Sequence, residues 1–326
     1  MKFNKLTPKQ SLNKAYLKEK LTRSVMEEFK QNFCAFLDQT NIHRNDEEHL
    51  KAHVINLLRD AWYKDYQVSP VGKTDLVIHT GKTATAPVGV IAEVKSITNK
   101  SEMIDFDKTN AKAFHELVLY YFHERIDNNN NEVKFLIATN INDWFIFDAN
   151  EFDKKIYRNS AIRKLYELKK SDNKDNPFFY EQLKQILNGQ VDLSLDVTYF
   201  NVRDYERFAR NADRSDDNKL IALYKLLSPV NLLKLPFAND SDSLQPRFYS
   251  ELLHIIGLTE VKEGSKKLIR RKKKEDRNSG SLLENVIIQL DSHDKLSRID
   301  KVSQYQLVYQ LYCLTEEEIK IVEGEV

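Results

Sequence analysis

Apolar residues follow two different spacings along the chain, and the change between them marks where helices give way to strands. Residues 12–37 carry apolar side chains at helical spacing, which predicts one or two amphipathic helices. The segment EEHLKAHVINLLRDAWY, residues 47–63, has a similar apolar stripe, and Asp46 is placed to cap its first turn. We therefore expect these helices to pack one face on a core.

Beyond these helices the spacing becomes alternating, as in a strand with distinct faces. The predicted elements are strands at YQVS, TDLVIH and VGVIAEVKS, a helix at 109–125, and strands at VKFLIATN and WFIFD. Their order is α, β, β, β, α, β, β. This order predicts an α/β fold for the first half of the chain.

From residue 151 onward the pattern is of helices separated by polar loops. Helical segments are predicted at 161–168, 179–187, 219–226, 247–256 and 281–290. We place a domain boundary near residue 170, which gives an α/β domain at 1–170 and a mostly helical domain at 171–326. The second domain is expected to carry a basic loop at 264–280 and a C-terminal tail.

Composition is that of a globular protein, with 326 residues, 41% apolar residues and a net charge of +1. The near-neutral total argues against a wholly basic surface, although the run KKLIRRKKKEDR at 266–277 is strongly basic. Runs of about 18 apolar residues are absent from the sequence, so we expect a cytoplasmic protein without a membrane partner. Cys34 and Cys313 lie far apart in apolar settings and are expected to be reduced core thiols.

Charged residues interrupt two of the most strand-like segments. Because successive side chains of a strand point to opposite faces, Asp75 lies on one face of its strand, and Glu93 and Lys95 share one face of the next. The apolar neighbours that face the other way are Leu76, Ile78, Ala92 and Val94. An antiparallel pairing of the two strands would bring the two acids and the lysine together as a site.

The chemistry of such a site follows from its charges. Two close carboxylates repel each other unless a cation lies between them. Their oxygens favour Mg²⁺, or Mn²⁺ in its place, and these ions are commonly shared with substrate phosphates. Lys95 can then orient or deprotonate an attacking water. We therefore predict a phosphodiester hydrolase in which Asp75 and Glu93 are the metal ligands.

The same residues resemble a known superfamily. Asp75 followed by Glu93-Val94-Lys95, within the order α, β, β, β, α, β, is similar to the PD-(D/E)XK nuclease core of many restriction endonucleases. The proline that names the motif is absent, since Lys73-Thr74 precede Asp75. The resemblance implies a restriction-endonuclease-like αβββαβ core and Mg²⁺-dependent cleavage of double-stranded DNA.

A second resemblance covers most of the chain and concerns type IIG restriction-modification enzymes. Segments similar to their N-terminal nuclease and helical connector are EEHLKAHVINLL, KTDLVIH, VIAEVKSITNKSEM, NAKAFHELVLYYFHER, LIATNINDWFIFDANEF and YKLLSPVNLLKLPFANDSDSLQPRFYSELLHIIGL. The final residues, LVYQLYCLTEEEIKIVEGEV, are similar to the extreme C-terminus of those enzymes. The resemblance implies a nuclease domain at 1–170 and a connector-like domain at 171–326, without the central methyltransferase.

The methyltransferase motifs are missing from the sequence. No Gly-rich methyl-donor loop follows a strand, and the nearest approach to a catalytic N-P-P-[YF] motif, Asn176-Pro177-Phe178-Phe179, lacks the second proline. A loop before a helix, with proline near the first helical position, is the favoured interpretation of this segment. We therefore expect no S-adenosylmethionine cofactor and no methyltransferase activity.

Several other residues are weaker candidates for the site. The family often adds an acid from its first core helix, and Glu47 or Glu48 could serve; helical geometry favours Glu47. Alternative roles as ordinary surface or structural groups remain open for both acids and for the histidines at 49, 53 and 79. The candidate DNA-contacting residues are Lys100, Lys112, Lys272 and Lys273, each of which could equally be a solvated lysine.

The sequence supports two hypotheses for the function. The first is a Mg²⁺-dependent DNA endonuclease that acts on double-stranded DNA, dimerises on DNA to cut both strands, and works with a separate methyltransferase or specificity component. The alternative is a non-catalytic DNA-binding or assembly module derived from such an enzyme. Retention of Asp75, Glu93 and Lys95 favours the first, because a relic could replace a buried charged cluster with apolar residues.

Overall fold

The computed structural model describes residues 1–42, 44, 46–72 and 74–237, and the backbone of 258–263 and 266–271. The chain forms two compact units, Met1–Ser241 and Asp242–Val326. In the described part of the chain, none of the helices combines the length and apolar character needed to cross a membrane. The candidate site lies in the first unit.

The first unit is built on a seven-stranded mixed sheet. Its strands are β1 (Lys2–Leu6), β2 (Val68–Val71), β3 (Thr74–His79), β4 (Val88–Val94), β5 (Phe135–Thr139), β6 (Asp143–Asp148) and β7 (Ser194–Asn201). Their order across the sheet is β1-β7-β6-β5-β4-β3-β2. The pairs β4–β5 and β1–β7 are parallel, and the other neighbours are antiparallel.

Helices cover both faces of this sheet. They are α1 (Pro8–Ser11), α2 (Lys14–Lys18), α3 (Arg23–Ile42), α4 (Glu47–Ala61), α5 (Lys112–Phe122), α6 (Ala149–Phe152), α7 (Ser160–Ser171), α8 (Asn176–Asn188), α9 (Arg203–Arg210), α10 (Asp217–Leu227) and α11 (Pro229–Leu232). Short π-helical segments extend α5 and α6, at His123–Asp127 and Asp153–Tyr157, and a 3₁₀ turn at Arg214–Asp216 precedes α10.

Two apolar cores lie on opposite sides of the sheet, as the alternating pattern of β3 and β4 predicts. Leu76 and Ala92 are buried with residues of α3 and α4, such as Leu50. Val77 and Ile91 are buried in the other core, which includes residues of α5 and α8. The face that carries the charged residues is therefore covered by a helix rather than open to solvent.

The predicted elements of the first half agree with the structure. Asp46 caps α4, where its side chain accepts a hydrogen bond from the backbone N–H of His49. The three predicted strands that precede α5 and the two that follow it correspond to β2 to β6. The predicted helices at 161–168, 179–187 and 219–226 lie within α7, α8 and α10, whereas those at 247–256 and 281–290 fall outside the described residues.

The two strands at the edge of the sheet opposite β2, which are β1 and β7, were not predicted. They pair with each other in parallel, Lys2 beside Ser194, across almost the whole first unit. Pairing of this kind joins segments that are remote in sequence, so a local pattern of five residues such as KFNKL gives little sign of it.

The division between the two units falls after Ser241 and not near residue 170. Residues beyond 170 complete the sheet and its core: β7 pairs with β6, and Phe179 and Leu183 of α8 are buried with Phe114 of α5. The helices after residue 170 therefore do not begin a new core, although their helical spacing of apolar residues differs from the alternating spacing of the preceding strands.

The basic segment predicted as a loop at 264–280 is extended in its first part. Two further strands, β8 (Leu258–Glu263) and β9 (Lys266–Arg271), pair antiparallel, with Glu263 beside Lys266. The segment LTEVKE alternates in polarity and pairs with KKLIRR. The high charge of the basic run led us to predict a loop in place of this second strand. Lys272 and Lys273 and the C-terminal tail lie outside the described residues.

Candidate active site

Asp75 and Glu93 are brought together by the pairing of β3 with β4. The register pairs Leu76 with Ala92 and Val77 with Ile91, and its continuation places Asp75 opposite Glu93. The backbone N–H of Val94 donates a hydrogen bond of 3.0 Å to Asp75 Oδ2. The two predicted metal ligands are therefore neighbours at one end of adjacent strands.

Lys95 lies in the same cluster and is held between two acids. Its Nζ is 2.5 Å from Glu93 Oε1 and 2.7 Å from Glu116 Oε2, and Glu116 is supplied by α5. Glu93 and Lys95 have side chains that are only 2% and 5% exposed. Glu102 lies further out, with its Oε2 3.8 Å from Lys95 Nζ. One buried lysine thus neutralises part of a group of buried carboxylates.

Burial and like charge both act on Glu93. Burial raises the pKa of its carboxyl well above the usual range, and the charges of Glu116 and Asp75 raise that pKa further, against the opposing effect of Lys95. Glu93 Oε2 is buried and has no hydrogen-bond partner among the described residues. An additional positive charge at this oxygen would therefore be electrostatically favourable.

Lys95 experiences the opposite balance. Burial alone would lower the pKa of its ammonium group, but the charges of Glu93 and Glu116 outweigh burial and raise that pKa above the usual range. Lys95 is therefore charged at neutral pH. A charged lysine can donate hydrogen bonds and orient a water, whereas it cannot accept a proton.

A second lysine, Lys51 of α4, pairs with Asp75. Its Nζ is 2.8 Å from Asp75 Oδ1, 2.9 Å from Glu48 Oε1 and 3.6 Å from Glu47 Oε1. Burial would lower the pKa of Lys51, but its hydrogen bonds to Asp75 and Glu48 raise that pKa above the usual range. This pair lies at the rim of the site, where the side chains of Lys51 and Asp75 are 15% and 12% exposed.

The structure distinguishes the two candidate acids of α4. Glu47 Oε2 accepts a hydrogen bond of 3.2 Å from the backbone N–H of Ser96, directly after Lys95. Glu48 is 83% exposed and contacts the site through Lys51. Glu47 therefore lies beside the end of β4, as helical geometry suggested, while Glu48 lies outside it.

The donor set suits a hard divalent cation. Asp75 and Glu93 provide carboxylate oxygens, and the unpartnered Oε2 of Glu93 is available for a positive charge. Among the described residues, no group of three or more His, Cys, Asp or Glu side chains could hold a metal ion. Since Mg²⁺ is typically bound by one or two carboxylates together with waters and substrate oxygens, two acids are enough to hold it.

The remaining predicted residues lie at varying distances from this cluster. Lys112 belongs to its edge, with Nζ 2.8 Å from Glu102 Oε1 and 3.9 Å from Glu116 Oε1. Lys100 is exposed in the loop between β4 and α5. His79 is buried, with Nδ1 2.6 Å from the carbonyl oxygen of Ala86, which is a structural contact at the end of β3.

Lys112 also lines a groove beside the cluster. The groove has a volume of about 310 Å³ and lies between α5, α8 and the loop before α5. Lys108 and Lys184 line it too, and neither is ion-paired to a carboxylate within the described ranges; Glu181 is the acid on its wall. The groove therefore presents more positive than negative charge.

Lys51, Glu102 and Glu116 were missed in the sequence. Lys51 lies four residues after Glu47, which is one helical turn, so the spacing could have indicated that both approach the same strand end. Glu116 lies on the inward stripe of α5, between Ala113 and Leu117. An acid on a buried stripe is a signal for a partner of opposite charge.

The segment Asn176-Pro177-Phe178-Phe179 is the start of a helix, as the favoured interpretation predicted. It opens α8 with proline in the first turn, and Asp175 caps the helix by accepting a hydrogen bond from the N–H of Phe178. The structure therefore confirms the predicted helix start with proline in its first turn.

The fold and site define a mixed α/β protein with a buried acid–lysine cluster at one end of two adjacent strands. Residues 6–240 match the family model described as Domain of unknown function (DUF7149), and residues 241–316 match Domain of unknown function (DUF7814). Since the first match covers well over half of the chain, the protein belongs to the DUF7149 family. The junction of the two matches agrees with the division of the chain after Ser241. No curated protein and no solved structure matches the chain.

Proposed function

We propose that the protein is a Mg²⁺-dependent DNA endonuclease of the PD-(D/E)XK type, related to the cleavage part of type IIG restriction-modification enzymes. The observation that carries the proposal is the cluster itself: Asp75 and Glu93 lie on neighbouring strands, and Lys95 directly follows the end of β4. Keeping these charges buried is costly unless they are used or fully compensated. Because Oε2 of Glu93 has no hydrogen-bond partner in the part of the chain that the structure describes, the charges are not fully compensated, which favours a role in binding a cation.

The arrangement of the surrounding elements supports the same proposal. The succession α4, β2, β3, β4, α5, β5 has the order αβββαβ that the resemblance implies. The meander β2-β3-β4 is antiparallel, and the connection through α5 makes β5 parallel to β4. This order supports the proposal, because Asp75 lies on β3, Glu93 lies on β4 and Lys95 directly follows β4.

Each side chain has a distinct task in the proposed reaction. Asp75 and Glu93 would hold the Mg²⁺ ion, for which Mn²⁺ can substitute. When bound, the ion would stabilise negative charge on the phosphate and the leaving oxygen. Lys95, fixed between Glu93 and Glu116, would donate a hydrogen bond that orients the attacking water. Because Lys95 is already protonated, the proton of that water must go elsewhere, such as to bulk water or a substrate oxygen.

The proposed substrate is double-stranded DNA. The groove lined by Lys108, Lys112 and Lys184 lies beside the cluster and could neutralise backbone phosphates. Such contacts position a protein on DNA but do not read its sequence. We therefore assign recognition to another region or a separate specificity component, and we expect two copies to associate on DNA when both strands are cut.

A non-catalytic DNA-binding or assembly module is the second candidate. The observation in its favour is that Asp75 and Glu93 each have a lysine partner, Lys51 and Lys95, so the cluster forms an ion-pair network without added metal. In that case the charged residues would serve the fold alone, and neither Mg²⁺ nor Mn²⁺ would bind at Asp75.

Calorimetric titration of the full chain with Mg²⁺ and Mn²⁺, with and without a DNA duplex, separates these candidates. The nuclease proposal predicts binding that is lost in Asp75→Ala and retained in Asp65→Ala, a control in which an exposed acid paired with Lys82 is removed. Absence of binding in the wild type, even with DNA present, would support the non-catalytic module.

A further inference from the structure

Lys51 contacts the candidate site from outside the strands that build it. Its ammonium group lies 2.8 Å from Asp75 Oδ1, while the other oxygen of that carboxylate, Oδ2, is held by the backbone N–H of Val94. Both oxygens of Asp75 are therefore engaged by donors from the protein. Each oxygen keeps a further lone pair, but a metal ion bound at Oδ1 would lie close to the positive charge of Lys51, and the two charges would repel each other.

The two donors differ in how freely they can move. The N–H of Val94 belongs to β4, a strand paired on both sides, so its position is fixed by the sheet. Lys51 has a flexible side chain of four methylene groups that reaches the rim of the site from α4 and is 15% exposed. Of the two, Lys51 is the group that can leave.

Glu48 gives Lys51 a second position. Its Oε1 is 2.9 Å from Lys51 Nζ, and its side chain is exposed to solvent. When Lys51 moves away from Asp75, it can retain this partner and remain at the rim without entering an apolar environment. The rim therefore contains an acid that can hold the lysine in either state.

We infer that Lys51 is a resident cation that neutralises Asp75 in the metal-free protein and competes with a divalent metal ion for this carboxylate. Lys51 is a positioning residue in this account, because it acts on Asp75 and not on the substrate. The inference rests on the proposed function, which places the metal ion at Asp75. Its consequence is that Lys51 sets the affinity of the site for metal, keeping it lower than the two carboxylates alone would give.

The contrast with Lys95 supports this assignment. Lys95 lies between two buried acids, Glu93 and Glu116, while the partly exposed Glu102 is 3.8 Å away and is itself paired with Lys112. Glu93 also retains a second oxygen, Oε2, that no protein donor occupies within the described residues. A metal ion at Glu93 Oε2 therefore leaves Lys95 in place, whereas a metal ion at Asp75 competes with the charge of Lys51.

The test is calorimetric titration of Mn²⁺ into the full-length protein and its Lys51→Met and Lys51→Arg variants. Removing the competing charge in Lys51→Met should raise the affinity about tenfold, which is the effect expected of one partly screened ionic contact. Lys51→Arg keeps the charge and can bind a carboxylate through two N–H groups, so its affinity should be no higher than that of the wild type. Glu48→Gln should weaken metal binding, because Lys51 then has only Asp75 and the more distant Glu47 as partners.

Thermal unfolding without added metal gives an independent readout. Lys51→Met should lower the melting temperature, because Asp75 is left without a cation, and Mn²⁺ should raise the melting temperature more in this variant than in the wild type. Asp75→Asn in the Lys51→Met background should abolish that increase, which assigns the effect to the Asp75 site.

The outcomes separate the inference from the function on which it rests. If the wild type binds Mn²⁺ and Lys51→Met binds it equally or more weakly, Lys51 does not compete with metal and the inference is overturned, while the proposed function stands. If neither protein binds Mn²⁺, with or without DNA, the proposed metal site fails and the inference fails with it.

Discussion

Asp75 and Glu93 are acids on neighbouring strands, each paired with a lysine, yet the surroundings of the two pairs differ. At Asp75 the lysine comes from α4, the pair lies at the rim, and an exposed acid offers the lysine a second partner. At Glu93 the lysine is Lys95, which directly follows the same strand, and Glu116 of α5 closes the cluster in the interior. The difference suggests that the interior pair, Glu93–Lys95, is a permanent contact, and that Lys51 of the rim pair can be replaced by another cation at Asp75.

Removal of the interior lysine should have the largest effect on stability. Lys95→Met leaves Glu93 and Glu116 buried together without their cation, and breaking a buried ion pair in this way typically costs about 3–5 kcal/mol. We therefore expect the free energy of unfolding to fall by at least about 3 kcal/mol in the absence of divalent metal. Denaturant unfolding measures this quantity. A loss below about 1 kcal/mol, the size expected of an exposed pair, would remove the distinction between the interior and the rim.

The pH dependence of stability should also report the interior carboxylate. Because the pKa of Glu93 is raised above its ordinary value of 4.5, its contribution to stability is fully present below about pH 4.5 and is lost as pH rises through the raised pKa. The stability of the wild type relative to Glu93→Gln should therefore decrease with rising pH, by up to about 1.4 kcal/mol per pH unit.

Comparison with the Glu93→Gln variant isolates this carboxylate from other groups. His115, for example, has a pKa lowered to about 4 by burial and by the charge of Lys184, so it affects stability with the opposite sign. That effect is common to both proteins and is removed when their unfolding free energies are subtracted at each pH. A flat difference would show that Glu93 does not titrate as a buried acid.

The rim lysine should matter less for the fold. Lys51→Met, without metal, should lower the free energy of unfolding by about 1 kcal/mol, because the pair with Asp75 is partly exposed and Asp75 keeps its hydrogen bond from Val94. Denaturant unfolding of Lys51→Met and Lys95→Met under the same conditions compares the two losses in the free energy of unfolding. An effect as large as that of Lys95→Met would make Lys51 a structural residue.

The smallest effect is expected at the exposed acid. Glu48→Gln should change the free energy of unfolding by less than about 0.5 kcal/mol, since exposed ion pairs contribute little. A substantial loss of stability would mean that Glu48 is required to hold Lys51 in place, and the rim would then be a fixed network. Chemical denaturation at low and high salt would show whether the remaining contribution is screened.

Local patterns in the sequence were sufficient for the central part of the fold. The helical stripe of α4 and the alternation within β3 and β4 place Asp75, Glu93 and Lys95 on one side of the sheet, because both periods are set by backbone geometry. Pairing between β1 and β7 and the division after Ser241 depend on contacts between distant segments, which no local period encodes.

The charges around the site were harder to predict for a related reason. Lys51 and Glu116 come from helices on opposite sides of the sheet, and their approach to Asp75 and Lys95 depends on how those helices pack. The sequence showed that a cation was needed between the acids but not that two lysines already provide positive charge there. The proposed competition between Lys51 and metal therefore rests on the three-dimensional arrangement.

Cleavage of supercoiled plasmid in the presence of Mg²⁺ or Mn²⁺ tests the central claim most directly. The wild type should nick or linearise the plasmid, while Asp75→Ala and Lys95→Ala, each confirmed to be folded, should not, and Lys164→Ala, which removes an exposed lysine of α7, should behave as the wild type. If the wild type and the two site variants behave alike with either metal, the acid–lysine cluster is not a nuclease site and the assignment is contradicted.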